Sequence, residues 1–197
     1  MKSASESELT FEKAKESDIK DIIDLLYITE PEPEEEWGFG SEEEMKNTLK
    51  RLLKIKNNRF SIQNIIVARK GKELVGMALL MEGKDIDKLT QNSEKHVMAY
   101  QKGMLNKLGF LYRSIKGKFL LECEEDEFYI SNIAIKPEYR GHGYAKIMFK
   151  KAFEIAKRRN YRKASLLANN EHLVKFYQTI GFHVVDPKIR RMVINIG

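Results

Sequence analysis

Residues 128–156 constrain this chain more than any other stretch. An apolar, β-branched run, Phe128-Tyr129-Ile130-Ser131-Asn132-Ile133-Ala134-Ile135, passes through a basic turn holding Gly141 and Gly143. An amphipathic run follows, with Ala145, Met148, Phe149, Ala152 and Ala156 at helical spacing. A strand feeding a glycine-bearing helix start leaves the first helical N–H groups without intrahelical partners, and the helix dipole favours negative charge there. Glycine removes the Cβ that would hold an anion off the backbone. Lys136 and Arg140 add positive charge beside the turn. The stretch therefore reads as a phosphate cradle or, more blandly, as a tight strand-to-helix connection.

The order of parts is not that of the commoner phosphate loops. There is no G-x-x-x-x-G-K-[ST] and no G-x-G-x-x-G with a later acidic residue. What the turn does carry is Arg-x-x-Gly-x-Ala, as Arg140-Gly141-His142-Gly143-Tyr144-Ala145. A second segment, 170–182, sets Asn170 seven residues before Tyr177 and closes on Gly181-Phe182. Together, and in this order, the two segments resemble the acetyl-CoA pyrophosphate loop and closing signature of the GCN5-related N-acetyltransferases (GNAT). The resemblance implies an α/β (α+β) fold: one domain over residues 1–197, with a mixed sheet of about six to seven strands flanked by helices. It also implies acetyl-CoA as cofactor, and direct acetyl transfer to a primary amine in a ternary complex. The acceptor would be a small polyamine-like or aminated molecule, or a protein amine. A CoA-binding sensor without turnover is the alternative that the same motifs allow.

The chain has 35 basic and 29 acidic residues, a net charge of +6, with charged residues at 32% of the whole. The charges are interspersed, with no basic block interleaved with aromatics, so a polyanionic cofactor is a sufficient target and nucleic acid is not expected. No run of eighteen apolar residues suggests a membrane span. The first eight residues lack the apolar core of a signal peptide, and a single cysteine, Cys123, forms no internal disulfide; a cytoplasmic setting is the expectation. A homodimer stays open. The histidines show no metal-ligand spacing, and no metal is assigned.

Along the chain, 9–15 reads as a strand. Ser17 and Asp18 are candidate caps for a helix carrying Ile19, Ile22, Ile23 and Leu26, which must end before Pro31. The acidic connection 30–40 follows, then a capping box at Ser41-Glu42-Glu43-Glu44 and a helix with Met45, Leu49, Leu52 and Leu53 on one face. Residues 65–69 and 73–81 form a hairpin about Gly71. Residues 82–125 are too long for a bare loop and are predicted to contain at least one helix, inserted between the third and fourth strands. That insertion reads as a flap on the sheet edge, a lid over the acceptor site or an oligomer contact. A helix over 143–159, a strand over 162–167, a helix over 170–180 and a closing strand pair complete the outline.

Carried onto this sequence, the resemblance implies that Asn132, Ile133, Ala134 and Ile135 hold the pantetheine arm. A backbone N–H near Ile133 or Ala134 would polarise the thioester carbonyl. Arg140, Gly141, His142, Gly143, Tyr144 and Ala145 would form the phosphate turn, although His142 equally suits a solvated position. Asn170 and Tyr177 complete the cofactor set, with Asn170 a candidate helix cap as well. Tyr177 is the candidate general acid, since a phenol keeps its proton at neutral pH. Glu127 is the candidate base, because strict alternation sets it on the face of Tyr129, Ser131 and Ile133; its plain reading is the last member of the acidic run 122–127. In the resembled family the first interhelical loop borders the acceptor pocket, which makes Glu34, Glu35, Trp37 and Phe39 candidate contacts for a cationic amine. A covalent acyl-Cys123 route is disfavoured, because the surrounding carboxylates oppose thiolate formation.

Overall fold

A computed structural model describes residues 8–117 and 121–197. Seven strands form one mixed sheet: β1 (Thr10–Lys13), β2 (Ile65–Lys70), β3 (Glu73–Glu82), β4 (Glu127–Ile135), β5 (Lys163–Leu167), β6 (His183–Asp186) and β7 (Arg191–Asn195). Their spatial order is β1-β2-β3-β4-β5-β7-β6. The β4–β5 pair is parallel and every other pair antiparallel. The helices are α1 (Ile19–Thr29), α2 (Pro33–Trp37), α3 (Glu42–Lys54), α4 (Ile86–Tyr100), α5 (Met104–Gly117), α6 (Tyr144–Arg158) and α7 (Glu171–Gln178).

Each sheet face has its own core. Ile22, Leu26, Leu49, Leu52 and Trp37 pack with Val67, Met77 and Tyr129 on one side. On the other, Met148, Phe149, Ala152 and Ala156 of α6 cover Ala78, Phe128, Ile130 and Ala164. β3 lies between both cores and is buried at eight consecutive positions, Leu74–Met81, which is why its sequence is apolar almost throughout.

Local chemistry sets the helix starts. Ser41 Oγ accepts from the Glu44 N–H, and the Glu44 carboxylate accepts from the Ser41 N–H, so the capping box forms as read. Asp18 does not cap α1 with its side chain. Its carboxylate accepts instead from the Lys15 N–H at 3.0 Å and from Arg69 Nη2 at 2.6 Å, tying the strand–helix junction to β2.

The insertion contains two helices, because Gln101–Gly103 interrupts the apolar spacing; Gly103 has φ +80°. Neither helix lies on a sheet edge. Val97 of α4 and Phe110 of α5 enter the core beside Trp37. Gln101, buried at the junction, accepts a hydrogen bond from the Phe39 N–H at 2.9 Å. The insertion therefore thickens the helical layer on the α1–α3 face. On its outer side α5 exposes Met104, Leu105, Leu108 and Tyr112.

Candidate active site

β4 and β5 run together at only three pairs, Glu127–Lys163, Phe128–Ala164 and Tyr129–Ser165. Beyond them the strands part, and a cleft of about 920 Å³ opens between them. On its other edge β4 stays paired with β3 through Ile135, but Leu79 faces Asn132 while Leu80 faces Ile130, leaving Ser131 as an extra residue. A bulge of this kind bends the bulged strand and re-aims its side chains. The edge of β4 facing β5 has no strand partner past Tyr129, so main-chain donors and acceptors there are available to an extended ligand. Asn132, Ile133, Ala134 and Ile135 line the cleft, with Leu166 and Leu167 opposite.

The glycine turn closes one end. Gly141 and Gly143 have φ of +79° and +86°, conformations that a Cβ disfavours. Gly143 is the N-cap residue of α6, and no side chain caps that helix start. Arg140 Nε donates to the Ile135 carbonyl at 3.1 Å and pins the turn to the end of β4. Gly141, Gly143, Tyr144, Ala145 and Lys146 line this end. An uncapped helix start behind two side-chain-free residues suits the pyrophosphate of CoA.

Not every nearby group turns inward. The His142 ring does not line the cleft: Nδ1 lies 2.9 Å from the Arg140 carbonyl, and the ring stacks on Tyr144. Lys136 pairs with Asp21 at 3.2 Å, and Lys151 pairs with Glu154 at 3.0 Å while lying over Phe11.

Tyr177 and Asn170 reach the cleft from the β5 side. Asn170 caps α7, its Oδ1 accepting from the Leu173 N–H at 2.9 Å. Tyr177 packs edge-on to Phe149 at 5.5 Å and against Phe176 and Phe182. Burial among these rings pushes its phenol up to about 12, so it stays protonated.

The far end is built from Thr29 and Glu30 at the end of α1, Glu36 on α2, Arg59 after α3, Glu122 from the close of the insertion, and Tyr129 on β4. Arg59 donates from Nη1 and Nη2 to both Glu122 oxygens, at 3.1 and 2.8 Å, and from Nη2 to Ser131 Oγ at 3.4 Å. The Tyr129 hydroxyl donates to Glu122 at 2.9 Å. A chain continues from Ser131 Oγ to Asn132 Oδ1, and from Asn132 Nδ2 to Thr29 Oγ1, at 2.9 and 3.2 Å. Burial raises the Glu30 carboxyl to about 8, helped by the charge of Glu36. Glu36 is also raised, chiefly by burial, with Arg59 opposing. Burial works to raise Glu122 as well, but the Arg59 charge and the Arg59 and Tyr129 hydrogen bonds outweigh it and hold this carboxyl below its ordinary range.

The structure corrects several expected roles. Glu127 is buried away from the cleft, with both oxygens on Arg191 Nη2, so no amine can reach it. Alternation along β4 fails at the bulge: Tyr129 packs in one core and Ile133 against the other, so a face inferred from strict alternation does not extend past Ser131. Of the loop residues, Trp37 is 1% exposed and wedged between Tyr27 and Phe60. Phe39 lies under Arg113, Glu35 pairs with Arg113 at 2.8 Å, and Glu34 does not line the cleft. Their neighbours Glu30 and Glu36 do. The readable signal was Pro33 at the start of a short helix with core-bound Trp37 at its end; anchoring Trp37 turns the preceding residue, Glu36, towards the cleft. Cys123 is buried, donates weakly to the Glu124 carbonyl, and has a thiol pushed to about 12, chiefly by burial. Among the described residues, no group of three or more His, Cys, Asp or Glu is placed to hold a metal ion. No described helix is long and apolar enough to cross a membrane.

Comparison with known proteins agrees with this geometry. The family model described as "Acetyltransferase (GNAT) family" matches residues 22–182. No curated protein matches the sequence. Solved structures share the fold at low identity. An N-acetyltransferase from Staphylococcus aureus Mu50 is 19% identical with a TM-score of 0.65, over 93% of this chain and 97% of its own. A Drosophila melanogaster polyamine N-acetyltransferase that catalyses the formation of N-acetylagmatine is 10% identical with a TM-score of 0.58, over 95% and 99%. The PaiA N-acetyltransferase from Thermoplasma acidophilum, solved with coenzyme A, is 17% identical with a TM-score of 0.52, over 95% and 98%.

Proposed function

The chain belongs to the acetyltransferase (GNAT) family and is an N-acetyltransferase that uses acetyl-CoA, and on that premise we propose that its acceptor is a small, cationic, polyamine-like primary amine. One observation carries this reading. At the end of the cleft away from the glycine turn, three glutamate carboxyl groups, Glu30, Glu36 and Glu122, line the wall with one guanidinium, Arg59. Once Glu30 and Glu36 are ionised, acids outnumber the cation there, which favours a cationic ligand, and the low polarity makes the preference stronger than it would be in water. The Drosophila enzyme of the same fold forms N-acetylagmatine, the product of such an amine.

Bound acetyl-CoA supplies the activated acetyl group, and the residues of the chain divide the remaining work. The uncapped start of α6 and the glycine turn hold the pyrophosphate. The free edge of β4, Asn132 to Ile135, aligns the pantetheine arm as an added strand, with an N–H of Ile133 or Ala134 facing the thioester oxygen. Glu36, with Glu30 beside it, takes the proton that the ammonium must lose before its nitrogen attacks. Their raised affinity for protons brings them closer to an amine than an ordinary carboxylate comes. As the nitrogen bonds to the carbonyl carbon and the carbon–sulfur bond breaks, Tyr177 gives its hydrogen to the departing sulfur. Much of the acceleration comes from holding both reactants in one wedge.

A panel of amines assayed for thiol release tests the reading: spermidine, agmatine, a neutral-bodied arylalkylamine, an aminoglycoside and a lysine peptide. The di- and polycationic small amines are expected to give the highest kcat/KM. Equal turnover of the arylalkylamine, or turnover of the lysine peptide alone, overturns the acceptor class. No turnover with any amine leaves binding without catalysis.

A further inference from the structure

The face that α5 turns to solvent is apolar. On its other side Phe110, 2% exposed, enters the core, and Gly109 meets the Phe39 ring, where an added Cβ would come within 3.1 Å of a ring carbon. Arg113 lies over Phe39 and pairs with Glu35 at 2.8 Å. These contacts fix the roll of the helix and leave Met104, Leu105, Leu108, Leu111 and Tyr112 outermost, at 78%, 84%, 53%, 47% and 71% exposed. Met104, Leu108 and Leu111 follow at steps of four and three, and Leu105, Leu108 and Tyr112 at steps of three and four, the spacing of a helix-pairing seam. A surface helix ordinarily turns such a stripe to the core. Here it offers roughly 600 Å² to solvent, as much as the largest patch on a typical monomer.

We propose that this stripe is a homodimer contact, in which α5 of one chain packs antiparallel on α5 of a second copy. Area and charge select this occupant. Two such faces bring together roughly 1,200 Å², the lower bound of a specific interface before any polar rim is counted. A twofold contact sets a surface against itself, so a concentration of one charge sign would oppose it. The cations beside the stripe are answered within the chain: Lys102 pairs with Glu44 of α3 at 3.1 Å, and Arg113 with Glu35 of α2. The run 101–121 contains no Asp or Glu, which makes an anionic lipid surface the rival occupant. Lipid headgroups draw a helix through cations left over for them, and these two are already engaged. With a twofold axis across the stripe, Leu108, at its midpoint, falls beside Leu108 of the second copy. None of the five stripe residues lines the cleft, so substituting them leaves the substrate site in place.

Sedimentation equilibrium of the full chain, over a micromolar concentration series, is expected to give twice the chain mass. Leu105→Glu and Leu108→Glu together set like charges face to face and should raise the dissociation constant at least about a hundredfold. A retained rise in melting temperature on adding acetyl-CoA shows that this variant is folded. Leu108→Cys, treated with a short bismaleimide, should link two chains, and Lys188→Cys, exposed elsewhere on the surface, should not. If the paired Glu variant fails to fold, the linking experiment decides alone. A wild type that sediments as a single chain throughout the series overturns the proposal, and flotation of that single chain with phosphatidylserine vesicles assigns the stripe to lipid. A dimer that survives the paired Glu substitutions, or equal linking at both cysteine positions, places the contact elsewhere and overturns the proposal as well.

Discussion

Both carboxylate oxygens of Glu127 rest on one nitrogen, Arg191 Nη2, at 2.7 and 2.6 Å, joining the start of β4 to the start of β7 across β5. The pair is closed further by the Glu124 N–H, which donates to Glu127 at 3.0 Å. Glu127→Ala leaves a buried guanidinium without its counter-charge, an effect of about 3–5 kcal/mol. For a domain of this size that lowers the melting temperature by roughly 10 °C. Thiol release at a temperature where the variant stays folded should fall less than about tenfold, well short of the loss of a general base. A hundredfold loss of turnover in a stable variant would restore Glu127 to the chemistry.

Tyr177 sits against Phe149 in an aromatic wall, and removing its hydroxyl leaves that packing in place. Tyr177→Phe should lower kcat by about 10²–10⁴, the ordinary range for a positioned acid. The rise in melting temperature on adding acetyl-CoA should be unchanged. Unaltered kcat, measured by thiol release, excludes the phenol from proton donation.

The proton-accepting pair works only when ionised. With Glu30 raised to about 8 and Glu36 raised beside it, kcat/KM should climb through about pH 8 and level off above it. Glu36→Gln should cost about 10²-fold near neutral pH. A wild-type profile that is flat from pH 6 to about 9 would rule the pair out.

The same shift affects stability. A folded-state value of about 8 against the ordinary 4.5 means that the folded chain holds a proton the unfolded chain has released. Glu30 therefore favours folding fully below pH 4.5, and that contribution is lost as pH rises to about 8. Glu30→Gln, which has no proton to lose, should be more stable than the wild type above pH 8 by about 1–2 kcal/mol, a figure reduced for the open side of the cleft. Below pH 4.5 the two should melt alike.

Gly143, at φ +86°, stands where the chain turns into α6. Gly143→Ala should cost about 1–2 kcal/mol of stability through the left-handed backbone. It also places a Cβ at the phosphate cradle, and acetyl-CoA affinity, measured by calorimetry, should fall at least about tenfold, or 1.4 kcal/mol. Unchanged affinity would move the pyrophosphate elsewhere.

Elements whose cause is local could be read from the chain by itself. The Ser41–Glu44 capping box, the left-handed Gly141, Gly143 and Gly181, and the 3.6-residue spacing of Met148, Phe149 and Ala152 all appear where the residues put them. Each depends on interactions within a few positions, which a sequence displays. The glycine turn and the span from Asn170 to Tyr177 are of this kind, and both line the cleft.

The end of the cleft away from the glycine turn was decided by packing. Glu30, Glu36, Arg59, Glu122 and Tyr129 meet across nearly a hundred positions of sequence, and nothing local to any one of them announces the others. Glu127, which precedes the bulge at Ser131, is taken up by Arg191, while Glu122, at the opposite end of the same acidic run, reached the cleft. Trp37 filled the core where an open pocket was expected and swung Glu36 outward in its place. A side chain's face depends on bulges and on which neighbour wins the buried space, and that competition takes place only between segments brought together by the fold.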